Sequence, residues 1–145
     1  MPEKKTIERA KKDKAEGKAP TTQAGEFVRE EVEHIRQGKH GARSPQQAIA
    51  IALSKARRAG VDLPPPRKGT ASETTRERAE RDLKKGRSGK RTKPAAKRSK
   101  ARREVLKREP RSAASKSALS KQAKQAAARR RVRGKVTSSG GTRSR

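Results

Sequence analysis

Few side chains in this sequence have the types and spacing that catalysis requires. The chain has two histidines, His34 and His40, and no cysteine, which excludes disulfides and thiolate metal sites. Glu30 and His34 stand four positions apart, so a helix would present only two metal ligands on that face, whereas a catalytic metal site usually has three. The sequence contains no Walker-type loop or nucleophile elbow. We therefore expect no enzymatic activity, no cofactor and no metal, and interpret the acidic surroundings of His34 as a solvated polar face.

The segment Gly38–Arg43 is a glycine-containing loop with two cations. Its G-x-x-G pattern is also found in the loop that brings the backbone of KH domains close to phosphates. Lys39 and Arg43 would add charge, and the next helix would offer free N–H groups at its N-terminus. A KH fold needs strands, and no convincing strand is found here. A phosphate-binding loop and a plain polar turn both remain open.

Clusters of lysine and arginine dominate the second half of the chain. Residues 67–145 hold 29 basic and 6 acidic residues, so they carry +23 of the net charge of +28. Each phosphate neutralised by such a surface releases condensed counterions, with a salt slope of about −0.9 per contact on duplex DNA. Phe27 is the only aromatic residue, so the base stacking that single-stranded binders use is nearly unavailable. This composition favours backbone contacts to DNA, with RNA as the alternative.

Most of the large apolar residues lie between residues 24 and 63 and predict a helical hairpin. The spacing of Phe27, Val28 and Ile35 gives an apolar stripe on a first helix from about residue 24 to residue 37, which Gly38 would end. A domain this small is marginal alone and would gain stability from a homodimer or from flanking helices.

The second helix of the hairpin has clear boundary signals. Ser44 is a natural N-cap, Pro45 suits the first turn, and Gln47 completes a capping box. Gly60 should end the helix, with Val61 making the apolar contact of a glycine cap.

The predicted nucleic-acid contacts lie in the loop, at the end of the second helix and in the basic second half. Interaction with the helix C-terminus alone would also explain the cations that end the second helix. The predicted contacts are Lys39, Arg43, Lys55, Arg57, Arg58, Lys84, Lys85, Arg87, Lys97, Arg98, Lys100, Arg102, Arg103, Arg129, Arg130, Arg131, Arg133 and Lys135.

A repeat flanks the hairpin. Thr6–Lys18 aligns without gaps with Thr75–Arg87 in the pattern T-x-E-R-A-x-[KR]-D-x-x-x-G-[KR]. Both copies predict short charged helices with Thr near the start and Gly at the end; a chance match in low-complexity sequence is the alternative. The chain then divides into a charged helical arm (1–20), a helical hairpin core (21–66), a linker with the repeat helix (67–90) and a basic low-complexity tail (91–145).

The tail resembles that of a linker histone in composition. Helices are predicted from Ala95 to Glu109 and from Ser112 to about Arg133, followed by a flexible end over residues 138–145. Repulsion among the cations should keep this region largely unfolded until phosphate neutralises it. The expected fold class is therefore mostly α: a small helical hairpin, flanking charged helices and a largely disordered basic tail.

The stretch Thr22–Pro66 resembles a family of small basic bacterial proteins of unknown function. The resemblance is carried above all by Gln23–Arg29, Gly38–Ser44 and Leu53–Val61. Some members are loosely labelled DNA-binding or plasmid stabilization proteins. The resemblance implies a bacterial cytoplasmic protein and supplies no binding residue.

The expected function is sequence-tolerant nucleic-acid binding, with DNA favoured over RNA, by a cytoplasmic, nucleoid-associated or linker-histone-like protein. No membrane association is expected, because no apolar run approaches the roughly 18 residues of a spanning helix and no helix pairs a basic face with a large apolar one. One alternative is an RNA- or ribosome-associated basic factor. Another is a plasmid-maintenance or regulatory interaction protein, whose glutamates on the first helix contact a basic partner or the protein's own tail: Glu26, Glu30, Glu31 and Glu33.

Overall fold

The chain is mostly α-helical, as the sequence predicts. The computed structural model describes residues 2–90 and 95–139, with the backbone alone for residues 135–139. The α-helices of these residues are α1 Lys4–Ala15, α2 Pro20–Arg36, α3 Pro45–Arg58, α4 Glu73–Ser88, α5 Ala96–Arg108 and α6 Lys116–Ser139. A short 3-10 turn, Ser112–Ala114, lies between α5 and α6. None of the described helices is both long and apolar enough to cross a bilayer.

The start of α3 confirms the predicted cap. Ser44 is the N-cap, and its Oγ accepts a hydrogen bond from the N–H of Gln47 at 3.2 Å. Pro45 occupies the first turn, where a missing N–H has no cost. Gln47 Oε1 accepts from the N–H of Arg43 at 2.6 Å, one residue before the position that a capping box uses. The loop before α3 is therefore tied to its first turn from both sides.

Glycines follow both hairpin helices at the predicted places. Gly38 and Gly60 have φ angles of 76° and 100°, the left-handed conformation that glycine adopts without strain. After α3, the N–H of Val61 donates to the carbonyl of Ala56 at 3.0 Å, and Val61 is 4% exposed. This is the Schellman cap with its apolar contact. It turns the chain back along the hairpin.

The start of α2 differs from the prediction. The helix begins at Pro20, four residues before the expected start at residue 24. Gln23 is buried, and its side-chain amide donates to the carbonyl of Lys18 at 2.9 Å, while Ala24 packs in the core. The prediction was late because contacts with the preceding turn stabilise these residues, and an apolar pattern does not report such contacts.

Both copies of the repeat are helices, and they occupy comparable positions. α1 packs on α2, and α4 packs on α3. Ala10 and Ala79, equivalent in the repeat, are each 5% exposed, and the equivalent Asp13 and Asp82 are each 8% exposed. The same two positions of the repeat therefore face the hairpin in both copies.

The repeat glycines end only one of the two helices. Gly17 follows α1 with a φ of 75°, as predicted, whereas Gly86 lies inside α4, which continues to Ser88. A Cβ on Gly86 would overlap the carbonyl oxygen of Arg57. Gly86 therefore allows α4 to approach the end of α3 closely, and Gly89, with a φ of 65°, follows the helix instead.

The main core lies where α1, α2 and α3 meet. It consists mostly of alanines around one aromatic ring, so the helix axes approach closely. Its buried members are Ala10, Ala24, Phe27, Ala52, Ala56, Val61 and Leu63. Phe27 is 1% exposed, and the partly buried Ile7, Val28 and Leu53 pack around the cluster.

A second apolar cluster joins the hairpin to the C-terminal half. Ile35, Ala42 and Ala48 from the hairpin pack with Ala113 and Ala114. The side chain of Arg36 adds a hydrogen bond to the carbonyl of Ala114 at 2.9 Å. Part of the segment assigned to the tail is therefore integral to the fold, which the sequence did not indicate.

The helices of the tail follow the predicted propensities with shifted bounds. α5 matches the predicted helix closely, and Pro110 lies just beyond its end. The next helix starts later than predicted, since Ser115 rather than Ser112 bonds the first turn, at 3.2 Å to the N–H of Ala118. Gly134 does not end α6, because glycine weakens a helix without blocking its hydrogen bonds. Of the predicted flexible end, residues 140–145 lie outside the described residues.

Candidate functional site

Two of the cations at the end of α3 form ion pairs within the fold. Lys55 Nζ donates to Glu31 Oε2 at 2.6 Å. Arg58 Nε donates to Asp82 Oδ1 at 2.8 Å, which links α3 to α4. Half of the Arg58 side chain is exposed, and about a quarter of Lys55. Their positive charge is therefore already partly balanced.

Arg57 is buried, whereas a residue that contacts phosphate must lie on the surface. The residue is 7% exposed, and its guanidinium donates to the carbonyls of Leu63 and Pro64, each at 3.1 Å. Burial lowers the pKa of the guanidinium from its ordinary value, partly opposed by the charge of Asp82. Arg57 therefore closes the turn at Leu63 and Pro64, and the prediction that it contacts nucleic acid is wrong.

The cations at the end of α4 are exposed. Lys84 and Lys85 project from the last turns of the helix. Arg87 makes two contacts with Asp62 Oδ1, at 2.7 and 3.0 Å, although both side chains are mostly exposed. An exposed pair of this kind contributes little to stability, so a phosphate can compete for Arg87.

Two backbone amides of the Gly38–Arg43 loop are already bonded within the fold. The N–H of Gly41 donates to the carbonyl of Leu106 at 2.8 Å, and that of Ala42 donates to the carbonyl of Pro110 at 3.0 Å. A Cβ on Gly41 would overlap the backbone of Glu109. The glycine therefore accommodates the chain between α5 and α6. The hypothesis of a phosphate-binding backbone in this loop is wrong for these two amides.

The side chains of the loop still face solvent. Lys39 is about half exposed and lies 3.5 Å from Glu3. Arg43 is exposed beside a shallow cleft between the starts of α3 and α6. Lys121 lines the same cleft, together with the hydroxyl-bearing Ser44, Ser112, Ser115 and Ser117. Two cations, four hydroxyls and two helix N-termini, which favour anions, therefore meet here.

Nine of the predicted cations lie at exposed positions on α5 and α6. On α5 these are Lys97, Arg98, Lys100, Arg102 and Arg103, and on α6 they are Arg129, Arg130, Arg131 and Arg133, all of them exposed. Lys135 also belongs to α6, and its side chain lies outside the described atoms. Arg103, for example, donates to the Ser99 hydroxyl one turn earlier in α5, at 3.2 Å.

A polar cluster around His34 is buried, which corrects its interpretation as a solvated face. Glu30 is 5% exposed, Glu31 is 1% exposed, and both His34 and His40 are mostly covered. His40 Nε2 lies 2.9 Å from Glu31 Oε1, and His34 Nε2 lies 2.9 Å from Glu3 Oε1. The loop brings His40 to α2, where the sequence alone indicated only two ligands.

Two groups of residues near these places were not found from the sequence. Lys121 lies in a helix whose start was misplaced, so nothing connected it with Arg43. Ala113 and Ala114 fix the turn that presents α5 and α6, but two alanines carry almost no sequence signal. The sequence showed only that the residues around Ala113, Ala114 and Lys121 are rich in lysine and arginine.

Comparison with known proteins adds no relative: no family model, no curated protein and no solved structure matches the chain.

Proposed function

We propose that the protein binds nucleic acid through phosphate contacts, preferring duplex DNA to RNA and reading few or no bases. The observation that carries the proposal is the row of exposed cations on α5 and α6, in a region with 20 basic and 2 acidic residues between positions 91 and 145. Phosphate contacts supply affinity without sequence information. A nucleoid-associated protein with linker-histone-like behaviour fits this chemistry.

The position of α5 and α6 supports the proposal further. Both helices adjoin the segment that packs on the hairpin through Ala113 and Ala114. The cleft with Arg43 and Lys121 lies beside this segment, so a phosphate bound there would continue the basic surface of α6 toward the hairpin. The hairpin would then hold the basic helices in place, and dimerisation through it would double their number.

Salt dependence tests the proposal directly. A fluorescent 30-base-pair duplex is titrated with the full chain, and anisotropy gives the affinity at several salt concentrations. With 6 to 10 phosphate contacts, affinity should fall by about 10³–10⁵ between roughly 50 and 200 mM salt. Affinity that is insensitive to salt, or no binding at all, would contradict the proposal.

A triple substitution on α6 separates specific placement from net charge. Replacing Arg129, Arg130 and Arg131 by Gln should reduce the salt slope by about 0.9 per lost contact. The matched control replaces the exposed Lys4, Lys5 and Lys11 of α1 by Gln, which removes the same charge from the opposite end of the chain. An equal loss in both variants would show that only total charge matters.

RNA binding is the second candidate, because basic segments that fold on RNA have the same composition. A competition experiment with duplex DNA and a structured RNA of equal charge decides between the two. The regulatory alternative is weakened by burial: Glu30 and Glu31 lie inside the fold and are not open to a partner.

A further inference from the structure

We propose that Glu31, His34 and His40 bind a divalent transition-metal ion, with zinc as the best fit. Each residue offers one ligand atom, and these atoms lie within 4.8 Å of one another. Two residues come from α2, and the third comes from the loop that precedes α3. These are also the only two histidines of the chain, and the fold brings them together on one carboxylate.

The hydrogen bonding of His40 leaves its other ring nitrogen free, close to a buried carboxylate. His40 Nδ1 lies 2.9 Å from the carbonyl oxygen of Gly41, which can only accept, so Nδ1 carries the proton. His40 Nε2 lies 2.9 Å from Glu31 Oε1. A neutral imidazole would then bring an unprotonated nitrogen close to a carboxylate oxygen. A proton between the two atoms, or a metal ion bound to both and lying beside the line that joins them, relieves this.

The buried carboxylate favours the metal over the proton. Glu31 is 1% exposed, and within the described residues its Oε1 has no hydrogen-bond partner despite the short distance to His40. The two atoms therefore approach in a direction that does not suit a hydrogen bond. A metal ion bonded to both atoms lies off the line that joins them, so it does not need the alignment that a hydrogen bond requires.

The ligands are held by outer partners of the kind that metal sites use. Lys55 Nζ donates to Glu31 Oε2 at 2.6 Å and leaves Oε1 for the ion. The Gly41 carbonyl orients His40 through Nδ1, and Glu3 Oε1 lies 2.9 Å from Nε2 of His34. Such second contacts orient ligating histidines and carboxylates in metalloproteins.

The ligand types decide which ion fits. Two imidazoles and one carboxylate suit zinc and its neighbours, whereas magnesium and calcium prefer oxygen ligands. Three protein ligands leave a fourth position for water. A second trio, Glu3, Glu30 and His34, also lies within reach. It has only one imidazole and an exposed Glu3, so we assign the ion to the first set.

The test uses the full chain without a histidine tag, stripped of metal with a chelator. Calorimetry with Zn²⁺ and visible absorption with Co²⁺ should show one equivalent bound. His34→Gln and His40→Gln should each weaken binding by more than the about 10–100-fold that loss of an outer partner costs, and Lys55→Met should fall in that 10–100-fold range. Glu33→Gln, on an exposed position of the same helix outside both trios, should leave the affinity unchanged.

A measurement on the unmodified chain guards against variants that fail to fold. In histidine ¹⁵N spectra, Zn²⁺ should shift His40 Nε2 while Nδ1 keeps its proton. Unshifted histidine signals, no binding, or unchanged affinity in the His34→Gln/His40→Gln double variant would overturn the proposal and leave a proton-bridged polar cluster. Nucleic-acid binding can hold or fail independently, since these ligands are not among the exposed cations.

Discussion

At the residue scale, the fold uses several charges that the sequence presents as free. Arg57 closes a turn, Lys55 pairs with Glu31, and Arg58 pairs with Asp82. Sequence reasoning found these cations and offered helix-terminus stabilisation as an alternative. It could not predict their actual partners, because Glu31 and Asp82 are brought close only by tertiary packing.

Gly86 is a residue whose smallness the packing requires. In Gly86→Ala the added methyl would overlap the backbone oxygen of Arg57, so we expect destabilisation of about 1–3 kcal/mol, as for other overpacked sites. Thermal unfolding followed by circular dichroism measures this.

The matched control is Gly25→Ala in α2, where no described atom lies within 4 Å of the new methyl apart from its chain neighbours and the adjacent backbone of its own helix. There the higher helix propensity of alanine should stabilise the protein by up to about 1 kcal/mol. A higher melting temperature for both variants would contradict the close packing of α4 on α3.

Lys18 should keep its charge at unusually high pH. Hydrogen bonds to Asp13 and Glu16, at 2.7 and 2.9 Å, raise the pKa of its ammonium above the ordinary value of 10.5. Because folding raises this pKa, the stabilisation is fully present below about 10.5. It is lost as pH rises through the higher value of the folded state.

A ¹³Cε titration of Lys18 measures this pKa. In Asp13→Asn the midpoint should move back toward 10.5, because the first and largest hydrogen-bond contribution is removed. A midpoint that is the same in both proteins would show that the pair does not persist in solution.

At the element scale, capping residues and glycines predicted those helix ends that depend on interactions between neighbouring residues. The bounds of α3 follow from Ser44 and Gly60, and both ends are as expected. The repeat suggested that α1 and α4 are equivalent helices that flank the hairpin. The packing of Ala113 and Ala114 on Ile35 was not predicted, since it joins residues almost eighty positions apart and two alanine methyl groups give no sequence signal.

Gly41→Ala should detach the segment between α5 and α6 from the hairpin. The new methyl would overlap the Glu109 backbone, which breaks the bond between the Ala42 N–H and the Pro110 carbonyl. Amide hydrogen exchange at Ala42 should then become faster.

The control is Lys39→Ala in the same loop, at an exposed position, where exchange at Ala42 should be unchanged. Equal protection of Ala42 in Gly41→Ala and in the wild-type protein would show that the segment does not need the glycine.

At the scale of the whole molecule, charge and apolar surface are separated along the chain. Residues 1–66 have a net charge of only +5 and hold most of the core, whereas residues 67–145 carry +23. Composition alone was sufficient to predict this separation. Composition could not predict that Ala113 and Ala114 of the basic part pack on the hairpin of the first part.

Self-repulsion in the basic half should make its helix content depend on salt. Screening weakens repulsion between exposed charges, with a Debye length that falls from about 30 Å at 0.01 M to about 8 Å at 0.15 M. We expect the helical signal in circular dichroism to rise with salt and to rise further when duplex DNA is added. A helical signal that responds to neither would contradict the prediction that phosphate orders the tail.

The lengths of α5 and α6, on either side of the packed turn at Ala113 and Ala114, limit how much of a duplex these two helices can cover. α5 has 13 residues and α6 has 24, so at 1.5 Å per residue they extend about 20 and 36 Å from that turn. Laid end to end along a duplex they would occupy at most about 16 base pairs, at 3.4 Å per pair. If these two helices alone set the footprint, saturated DNA should bind at least one chain per about 16 base pairs.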